Sequence, residues 1–359
     1  MNHFLISFVT QHHDTIAKKI GECFGKKGQE SDLTFYDGLD GEENIFITVT
    51  PSGYPDKLKS LLQCLAIGDV HVLLITPDDN FDALLGEMIV ALDVYPSAIP
   101  MIIIAGINSM NEYKVDEVKE KVKKIVNSTS LKEKIDDIMV LSNYNGDFMV
   151  FKEIIIKKCD KLVRRKDNVK ILIDAAFPVK GIGTVVLGIV KKGEFNAGAM
   201  LELTDPMNPP KNIIAKSIQM QDIDQKRAEA GDRVGLAIKG IKPEEITREN
   251  MLVTKNSMKP FSQLKIHLHL SKFSKREIDV AMKQDYHLAI DHQVFPVKPV
   301  KVKGTKNKDV LLPGETGIVT FKSDKNFWLD PGENVAIITI LEKFASNLRI
   351  LGSGTVILD

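Results

Sequence analysis

The chain has 359 residues, of which 43% are hydrophobic and 27% charged, a composition that suits a globular protein of two or three domains and excludes a disordered or fibrous one. The 48 Lys and Arg residues equal the 48 Asp and Glu residues in number. The chain therefore lacks the large net positive charge that would by itself attract nucleic acid. There is no apolar run of membrane-spanning length, no signal-peptide pattern and no CxxC pair among the three cysteines, so a cytoplasmic location without membrane contact is predicted.

The first 165 residues alternate short apolar runs with amphipathic segments. The runs are β-rich and almost continuously apolar, as in strands buried on both faces: FLISFV (4–9), IFITVT (45–50), VHVLLI (70–75), MIIIAG (101–106) and IMVLS (138–142). Helical patterns separate them at 15–24, 55–66, 81–92, 115–126 and 148–163, with Pro55 in a first helical turn. This alternation predicts an α/β domain with a parallel sheet at 1–165.

From Val169 onward the pattern is all β. Strand-like segments follow one another at close spacing and are separated by Gly, Pro and Asn, which predicts β-barrels. A polar stretch at 253–260, VTKNSMKP, predicts a linker between two such domains. The predicted boundaries are 168–255 for the first β domain and 260–359 for the second.

The β segments carry a specific pattern. In order along the chain they read FPVKGIGTVVLGIVKKGEFNAG (177–198), SIQM (217–220), AGDRVGLAIKGIKPEEI (230–246) and, at the end, LRILGSGTVILD (348–359). This set resembles the second and third domains of EF-Tu-like translation elongation factors, and within them the selenocysteine-specific factor SelB. One departure is Arg248-Glu249-Asn250-Met251-Leu252, where the family pattern reads R-G-x-V-L, so a different turn is expected there.

The resemblance covers the whole chain and implies an α/β plus all-β fold. A Ras-like, P-loop-type α/β domain at 1–165 would precede two EF-Tu-like barrels, domain 2 at 168–255 and domain 3 at 260–359. The additional C-terminal domain of SelB is expected to be absent.

The nucleotide motifs that the resemblance implies are degenerate. Where GxxxxGK[ST] is expected, the chain has Thr10-Gln11-His12-His13-Asp14-Thr15, without the glycines and lysine that hold phosphates. Where D-x-P-G-H is expected, it has Thr50-Pro51-Ser52-Gly53-Tyr54, and the guanine-reading N-K-x-D is replaced by Gly106-Ile107-Asn108-Ser109. The S-A-x element keeps its serine as Ser142. We therefore expect no GTP or magnesium cofactor, no metal site and no GTPase activity.

Two interpretations of the first domain remain open. It either persists as a scaffold for the barrels, or His12, His13 and Tyr54 line a remodelled pocket for another ligand. Fold kinship alone does not decide between them.

The resemblance places the aminoacyl end of tRNA beside the first barrel, where Asp174, Phe177 and Arg233 match the SelB-like positions. The residue after Asp174, Arg or His in the pattern, is Ala175. Each residue also has a structural interpretation: Phe177 as barrel core and Arg233 as a surface turn residue. The net basic half after residue 165 includes a further group of RNA-binding candidates, Lys298, Lys301, Lys303, Lys306 and Lys308, which a solvated hairpin would also explain.

The predicted function is that of a monomeric EF-Tu/SelB paralogue that does not hydrolyse GTP and that binds tRNA or the ribosome. A functional GTP-binding elongation factor with an atypical pocket is one alternative. A protein-interaction scaffold outside translation is the second.

Overall fold

The computed structural model describes residues 2–28, 31–41, 43–142, 146–282, 284–304, 309–332 and 334–358. The chain divides into two compact units: Met1–Leu162 with Leu341–Ile350, and Val163–Ile340 with Leu351–Asp359. Both β domains lie in the second unit, apart from segment 341–350, which belongs to the first. In the described part of the chain, no helix combines the length and apolar character of a membrane span.

The first unit contains a seven-stranded sheet flanked by helices. Its strands are β1 Asn2–Val9, β2 Lys26–Lys27, β3 Thr34–Asp40, β4 Asn44–Thr50, β5 Val70–Ile75, β6 Ile99–Ile104 and β7 Met139–Val140. Its helices are α1 Lys18–Phe24, α2 Leu58–Ile67, α3 Ala83–Asp93, α4 Val115–Val126 and α5 Gly146–Cys159. The strand order is β2-β3-β4-β1-β5-β6-β7. The predicted α/β architecture is confirmed.

The sheet is mixed, whereas the sequence pattern predicted a parallel one. Five strands, β4, β1, β5, β6 and β7, run parallel to one another. At one edge of the sheet, β3 pairs antiparallel with β4, and β2 pairs antiparallel with β3. The pattern missed β3 because Asp37, Gly38 and Asp40 interrupt its apolar run after Tyr36.

The amino ends of two helices also differ from the prediction. Helix α1 is preceded by a π-helical turn, His13–Ala17. Helix α2 begins at Leu58, so the placement of Pro55 in a first helical turn was wrong. The preceding residues form a turn of their own, in which Lys57 N donates to the carbonyl of Gly53 at 2.7 Å and Gly53 N to that of Asp32 at 3.1 Å.

An aromatic cluster holds α1 and α5 against one face of this sheet. The Phe24 ring lies 4.8 Å from Phe148 and 5.3 Å from Phe46, and Phe46 stacks on Phe4 at 4.8 Å. Edge-to-face and offset contacts of this kind stabilise a core beyond the area that they bury. The cluster joins both helices to the amino halves of β1 and β4.

The second unit contains two closed barrels. Its strands are β8 Lys170–Val179, β9 Gly183–Lys192, β10 Glu194–Asn196, β11 Met200–Leu203, β12 Lys211–Met220, β13 Ile223–Gln225, β14 Arg227–Glu229, β15 Arg233–Lys239, β16 Met251–Thr254, β17 Lys259–Leu270, β18 Ile278–Asp279, β19 Tyr286–Ile290, β20 Gln293–Lys303, β21 Val310–Leu311, β22 Thr316–Leu329, β23 Val335–Thr339 and β24 Ile350–Ile357. The first barrel runs β11-β16-β8-β9-β15-β12 and closes through β11–β12, and the second runs β17-β22-β20-β19-β23-β24. The predicted pair of barrels is confirmed.

The connection between the barrels is shorter than the predicted linker. Strand β16 continues to Thr254 and β17 starts at Lys259, which leaves residues 255–258 between them. Polar contacts join the barrels: Lys192 Nζ lies 3.0 Å from Asp330 Oδ2, Lys170 Nζ lies 2.9 Å from Asp291 Oδ2, and the Trp328 indole donates to a carbonyl at 2.8 Å. The short connection and these contacts agree with the grouping of both barrels in one unit.

Candidate functional site

The loops that follow β1, β5, β6 and β7 emerge at the carboxyl edge of the parallel strands, where open α/β sheets bind their ligands. The loop after β1 starts with Thr10, which is buried and accepts a hydrogen bond from His12 N on Oγ1 at 3.0 Å. This is the place of the expected phosphate loop. Its conformation is therefore maintained by a side-chain oxygen instead of glycines.

Asp79, in the loop after β5, binds this segment. Its Oδ1 lies 2.5 Å from His12 Nε2 and 3.3 Å from Gln11 Nε2, and Thr76 donates to both carboxylate oxygens. Burial alone would raise the pKa of Asp79, but the hydrogen bonds from His12 and Thr76 outweigh burial and lower it. The Asp79 carboxylate, only 5% exposed, thus accepts hydrogen bonds from the side chains of Gln11 and His12 in the β1 loop.

The loop after β6 is tied in the same way. Asn111 Nδ2 donates to Asp78 Oδ2 at 2.7 Å and to the carbonyl of Gly106 at 3.2 Å, while Asn111 Oδ1 accepts from Asn108 N at 2.8 Å. Lys114 Nζ completes the group at 2.7 Å from Asp78 Oδ1. In the position of the guanine-reading motif there is thus a closed network of amides and one carboxylate.

Three further nucleotide-motif positions lie in this region. Gly106 has φ +73°, and a Cβ there would stand 2.7 Å from Ile16 Cδ1, so a side chain would clash. Ser109 is exposed in the turn that follows. Ser142 N donates to Asp147 Oδ2 at 2.7 Å, which ties it to the first turn of α5.

Tyr54 lies inside the first unit. Its hydroxyl donates to Glu87 Oε1 at 3.1 Å, and Arg349 Nη2 lies 2.7 Å from the same oxygen. Both charged side chains are fully buried, and burial, followed by the Glu87 carboxylate, raises the pKa of Tyr54 well above its usual value. His12 binds Asp79, whereas His13 Nε2 lies 2.6 Å from the main-chain carbonyl oxygen of Tyr54. The described structure therefore does not bring the three side chains to one pocket.

A cleft opens beside the β1 loop on the side of β2–β4. It is a shallow cleft open to solvent, and its lining contains two cations, one carboxylate, one imidazole and several hydroxyls: His13, Asp14, Lys18, Lys27, Thr34, Tyr36, Thr50 and Ser52. We call it the His13 cleft. Four residues of the two degenerate motif segments contribute to it, His13, Asp14, Thr50 and Ser52, whereas Gly53 follows in the turn before α2.

On the first barrel, Asp174 lies in a bulge of β8 between Ile173 and Ala175. Arg248 donates through Nε to the Asp174 carbonyl at 3.2 Å and through Nη2 to Asp174 Oδ1 at 3.3 Å. The strand register places Arg233 opposite Ile189, on the far side of β9. Asp174 is thus paired with Arg248, which belongs to the segment that departs from the R-G-x-V-L pattern.

The remaining RNA-binding candidates are on strands. Phe177 is half-buried on β8, opposite Val185, and lies outside the buried core cluster of its barrel. Lys298, Lys301 and Lys303 are exposed along β20. Lys306 and Lys308 lie outside the described residues.

Several residues that build the site were missed by the sequence analysis. Asp78 and Asp79 follow a buried strand directly, in ITPDDN, and acidic residues at such a strand end are a recognisable signal. Asn111 and Glu87 carry no comparable pattern. Arg349 lies 262 residues from Glu87 along the chain, and nothing local marks it as buried.

Comparisons with known proteins agree with this architecture. The family described as Elongation factor Tu domain 2 matches residues 183–248. An uncharacterized protein of Methanocaldococcus jannaschii is 29% identical over 343 residues, which cover 93% of this chain and 95% of that protein. The selenocysteine-specific elongation factor of the same organism is 28% identical over 350 residues, covering 92% of this chain and 72% of the factor.

The fold matches solved elongation factors over nearly its full length. Translation elongation factor SelB from Methanococcus maripaludis, in complex with the GTP analogue GppNHp, superposes with a TM-score of 0.81 at 22% identity, covering 99% of this chain and 79% of that one. A bacterial selenocysteine-specific elongation factor gives a TM-score of 0.76 at 14% identity, covering 99% and 58%. Together with the sequence matches, these findings show that the chain is similar in sequence and fold to the EF-Tu/SelB-like translation elongation factors.

Proposed function

We propose that this chain is a non-hydrolysing paralogue of the EF-Tu/SelB factors that binds tRNA or the ribosome without using GTP. The observation that carries the proposal is the buried Asp79 carboxylate bound to Gln11 and His12 in the position of the phosphate loop. Phosphate loops hold their ligand with main-chain N–H groups and a lysine. A buried carboxylate at this place repels phosphate and competes for the same donors.

The guanine side of the site supports the same proposal. A guanine-specific pocket needs a carboxylate directed at the base, but here Asp78 accepts from Asn111 and Lys114. Freeing that carboxylate would break the hydrogen bonds that it accepts from Asn111 and Lys114. Guanine binding would have to replace these contacts first.

Calorimetric titration of the full chain with GTP and GDP, with and without Mg²⁺, tests the proposal. We expect no dissociation constant tighter than about 1 mM, which corresponds to roughly −4 kcal/mol. A micromolar constant would instead favour the alternative of a GTP-binding factor with an atypical pocket.

The RNA-binding part of the proposal rests on the first barrel. Arg233 matches the SelB-like position and is the residue to test. We expect Arg233→Ala to weaken aminoacyl-tRNA binding roughly tenfold, as for loss of a charge-assisted contact, by more than any change in its melting temperature explains. Arg227→Ala is the matched control, since Arg227 is an arginine on β14 that pairs with Glu194 and Glu229.

The lysines of β20 have their own test. If Lys298, Lys301 and Lys303 contact RNA phosphates, changing all three to Gln should reduce the slope of log K against log salt by roughly 2–3 units. An equal set on α4, Lys119, Lys121 and Lys124, provides the control.

Cosedimentation with ribosomes distinguishes the proposal from the scaffold alternative. Binding to ribosomes or to tRNA at low salt supports a role in translation. If the protein binds neither, the interpretation as a protein-interaction scaffold outside translation becomes the better one.

A further inference from the structure

The turn between β6 and α4 presents two large apolar side chains to solvent. Met110 is 80% exposed and Tyr113 is 75% exposed. Hydrogen bonds fix the backbone beneath them, because Asn108 Oδ1 accepts from Met110 N at 2.8 Å and the Asn108 carbonyl accepts from Asn111 N at 3.1 Å. Lys114 Nζ lies 5.7 Å from the centroid of the Tyr113 ring and holds it in place. Exposed Tyr and Met side chains on a fixed backbone are typical of anchors in protein interfaces.

Carboxylates flank these two side chains along the chain. Glu112 and Asp116 are exposed, and neither forms an ion pair with a residue that the structure describes. The nearest cation, Lys114, is already bound to Asp78 at 2.7 Å. We call residues 108–116 the anchor turn. Its negative charge repels RNA phosphates and favours a partner surface that contains lysines.

The first barrel has an exposed apolar pair framed by charges of the opposite sign. Met200 on β11 and Ile214 on β12 are direct cross-strand neighbours, 63% and 40% exposed. On its other side Ile214 pairs with Lys239 of β15, and Lys216 lies two residues further along β12. Lys255 continues the β16 register opposite Met200. We call these five residues the lysine strip.

The three lysines of the strip lack a partner of their own. Each is exposed, and none forms an ion pair within the described ranges. The strip therefore fits apolar side chains that are flanked by carboxylates, which is the composition of the anchor turn. Both surfaces are exposed in the single chain, so neither covers the other within one copy.

We propose that the anchor turn of one copy of this chain docks on the lysine strip of a second copy. Met110 and Tyr113 cover Met200 and Ile214, and the carboxylates of the turn approach the lysines. Because two different surfaces meet, the contact is heterologous, and association continues from copy to copy unless the rotation closes a ring. The expected monomer is then one state of a concentration-dependent equilibrium.

Sedimentation velocity of the full chain over a range of concentrations measures this equilibrium. For a contact with few anchors we expect a dissociation constant of roughly 10–100 μM. The constant should rise several-fold between about 50 mM and 500 mM salt, because exposed ion pairs are screened.

A substitution of the two anchors locates one half of the contact. Met110→Ser/Tyr113→Ser should weaken association at least roughly tenfold, since truncated interface anchors account for most of a small contact. Met149→Ser/Val150→Ser is the matched control, because it changes two exposed apolar side chains on α5 and should leave association unchanged.

Charge reversal tests both halves together. Glu112→Lys/Asp116→Lys makes both surfaces positive, and Lys216→Glu/Lys239→Glu makes both negative, so neither variant should associate with itself. An equimolar mixture should regain association near that of the wild type, because each turn again meets a strip of opposite charge. Circular dichroism verifies that both variants are folded, and the anchor variant remains informative if one of them is not.

A chain that stays monomeric at about 200 μM, an anchor variant that matches its control, or a mixture that does not regain association would overturn the proposal. A failure here leaves the proposed function unaffected, because tRNA and ribosome binding are measured with other ligands and depend on Arg233 and the β20 lysines. A chain that associates with itself but binds neither tRNA nor ribosomes would instead contradict the proposed function alone.

Discussion

Glu87 and Arg349 form an ion pair from which solvent is fully excluded. Arg349 donates from Nη2 to Glu87 Oε1 at 2.7 Å and from Nε to Oε2 at 3.2 Å, and it also donates to the carbonyls of Pro55 and Glu342. The main-chain N of Arg349 donates to Glu87 Oε2 at 2.7 Å. With so many contacts, the pair fixes segment 341–350 within the first unit.

Removal of one partner should be strongly destabilising. We expect Arg349→Met to lower the free energy of unfolding by about 3–5 kcal/mol, because Glu87 would remain as a buried charge without its partner. The double change Glu87→Gln/Arg349→Met should recover part of the loss, since the introduced amide is neutral and can still accept from Tyr54. Urea unfolding of the four proteins in a double-mutant cycle measures the coupling, and a single-variant loss below about 1 kcal/mol would contradict a buried pair.

The raised pKa of Asp232 predicts that its contribution to stability falls as the pH rises, the opposite of most carboxylates. Burial, and then the nearby Glu229 carboxylate, raise its pKa to about 6, although a hydrogen bond from Glu229 N and the charge of Arg164 act against the shift. A raised pKa means that the folded state binds the proton more tightly than the unfolded state. The contribution of Asp232 to stability is therefore fully present below its ordinary pKa of 3.8 and is lost as the pH rises through about 6.

We expect Asp232→Asn to remove this contribution while retaining an acceptor for Glu229 N. The melting temperature of the variant relative to wild type should be higher near neutral pH than below the raised pKa of Asp232. Taking the difference between the two proteins cancels the other titrating groups. A difference that does not change with pH would mean that Asp232 ionises normally.

At the scale of elements, the turn before β16 shows where the chain departs from the EF-Tu-like pattern. Asn250, 3% exposed, accepts from Thr247 N at 2.6 Å and from the Thr247 hydroxyl at 3.0 Å, and donates to the Thr204 carbonyl at 2.7 Å. The turn is thus held by a side-chain amide instead of a glycine.

Asn250→Ala should therefore cost about 2–3 kcal/mol, because three hydrogen bonds are lost and the Thr204 carbonyl remains buried. Glu249→Gly, which restores the family residue, is the control and should cost less than about 1 kcal/mol. Chemical denaturation of both variants gives the comparison. Equal costs would show that the amide contacts do not hold the turn.

At the scale of the whole molecule, the division into two units predicts how fragments behave. The barrels share the contacts of Lys192, Lys170 and Trp328, so residues 163–359 should unfold in one cooperative transition with β-rich circular dichroism. Segment 341–350 belongs to the first unit and would lack Glu87 in this fragment. Limited proteolysis should cut it first. Two separate transitions would contradict the grouping of the barrels.

The sequence by itself determined the order of the domains along the chain, an α/β domain followed by two β domains. Buried strands such as β5 and β6 are continuous apolar runs. The turn from β8 to β9 contains Gly181 and leads into Gly183, whose φ values of +83° and +107° other residues rarely adopt. The motif comparison also predicted which strand ends to examine, because P-loop chemistry depends on a local set of residues. Such features can be predicted from the sequence because they depend on residues that are close together along the chain.

The tertiary structure decided which polar groups meet. Asp79 with His12, Asp174 with Arg248 and Glu87 with Arg349 are pairs 67, 74 and 262 residues apart, and no local spacing encodes them. The antiparallel β3 was likewise decided by its neighbour β4, since its own residues are too polar to predict a buried strand. Ion pairs and edge strands depend on the surroundings that the folded chain provides, whereas helices, buried strands and turns follow from their own residues.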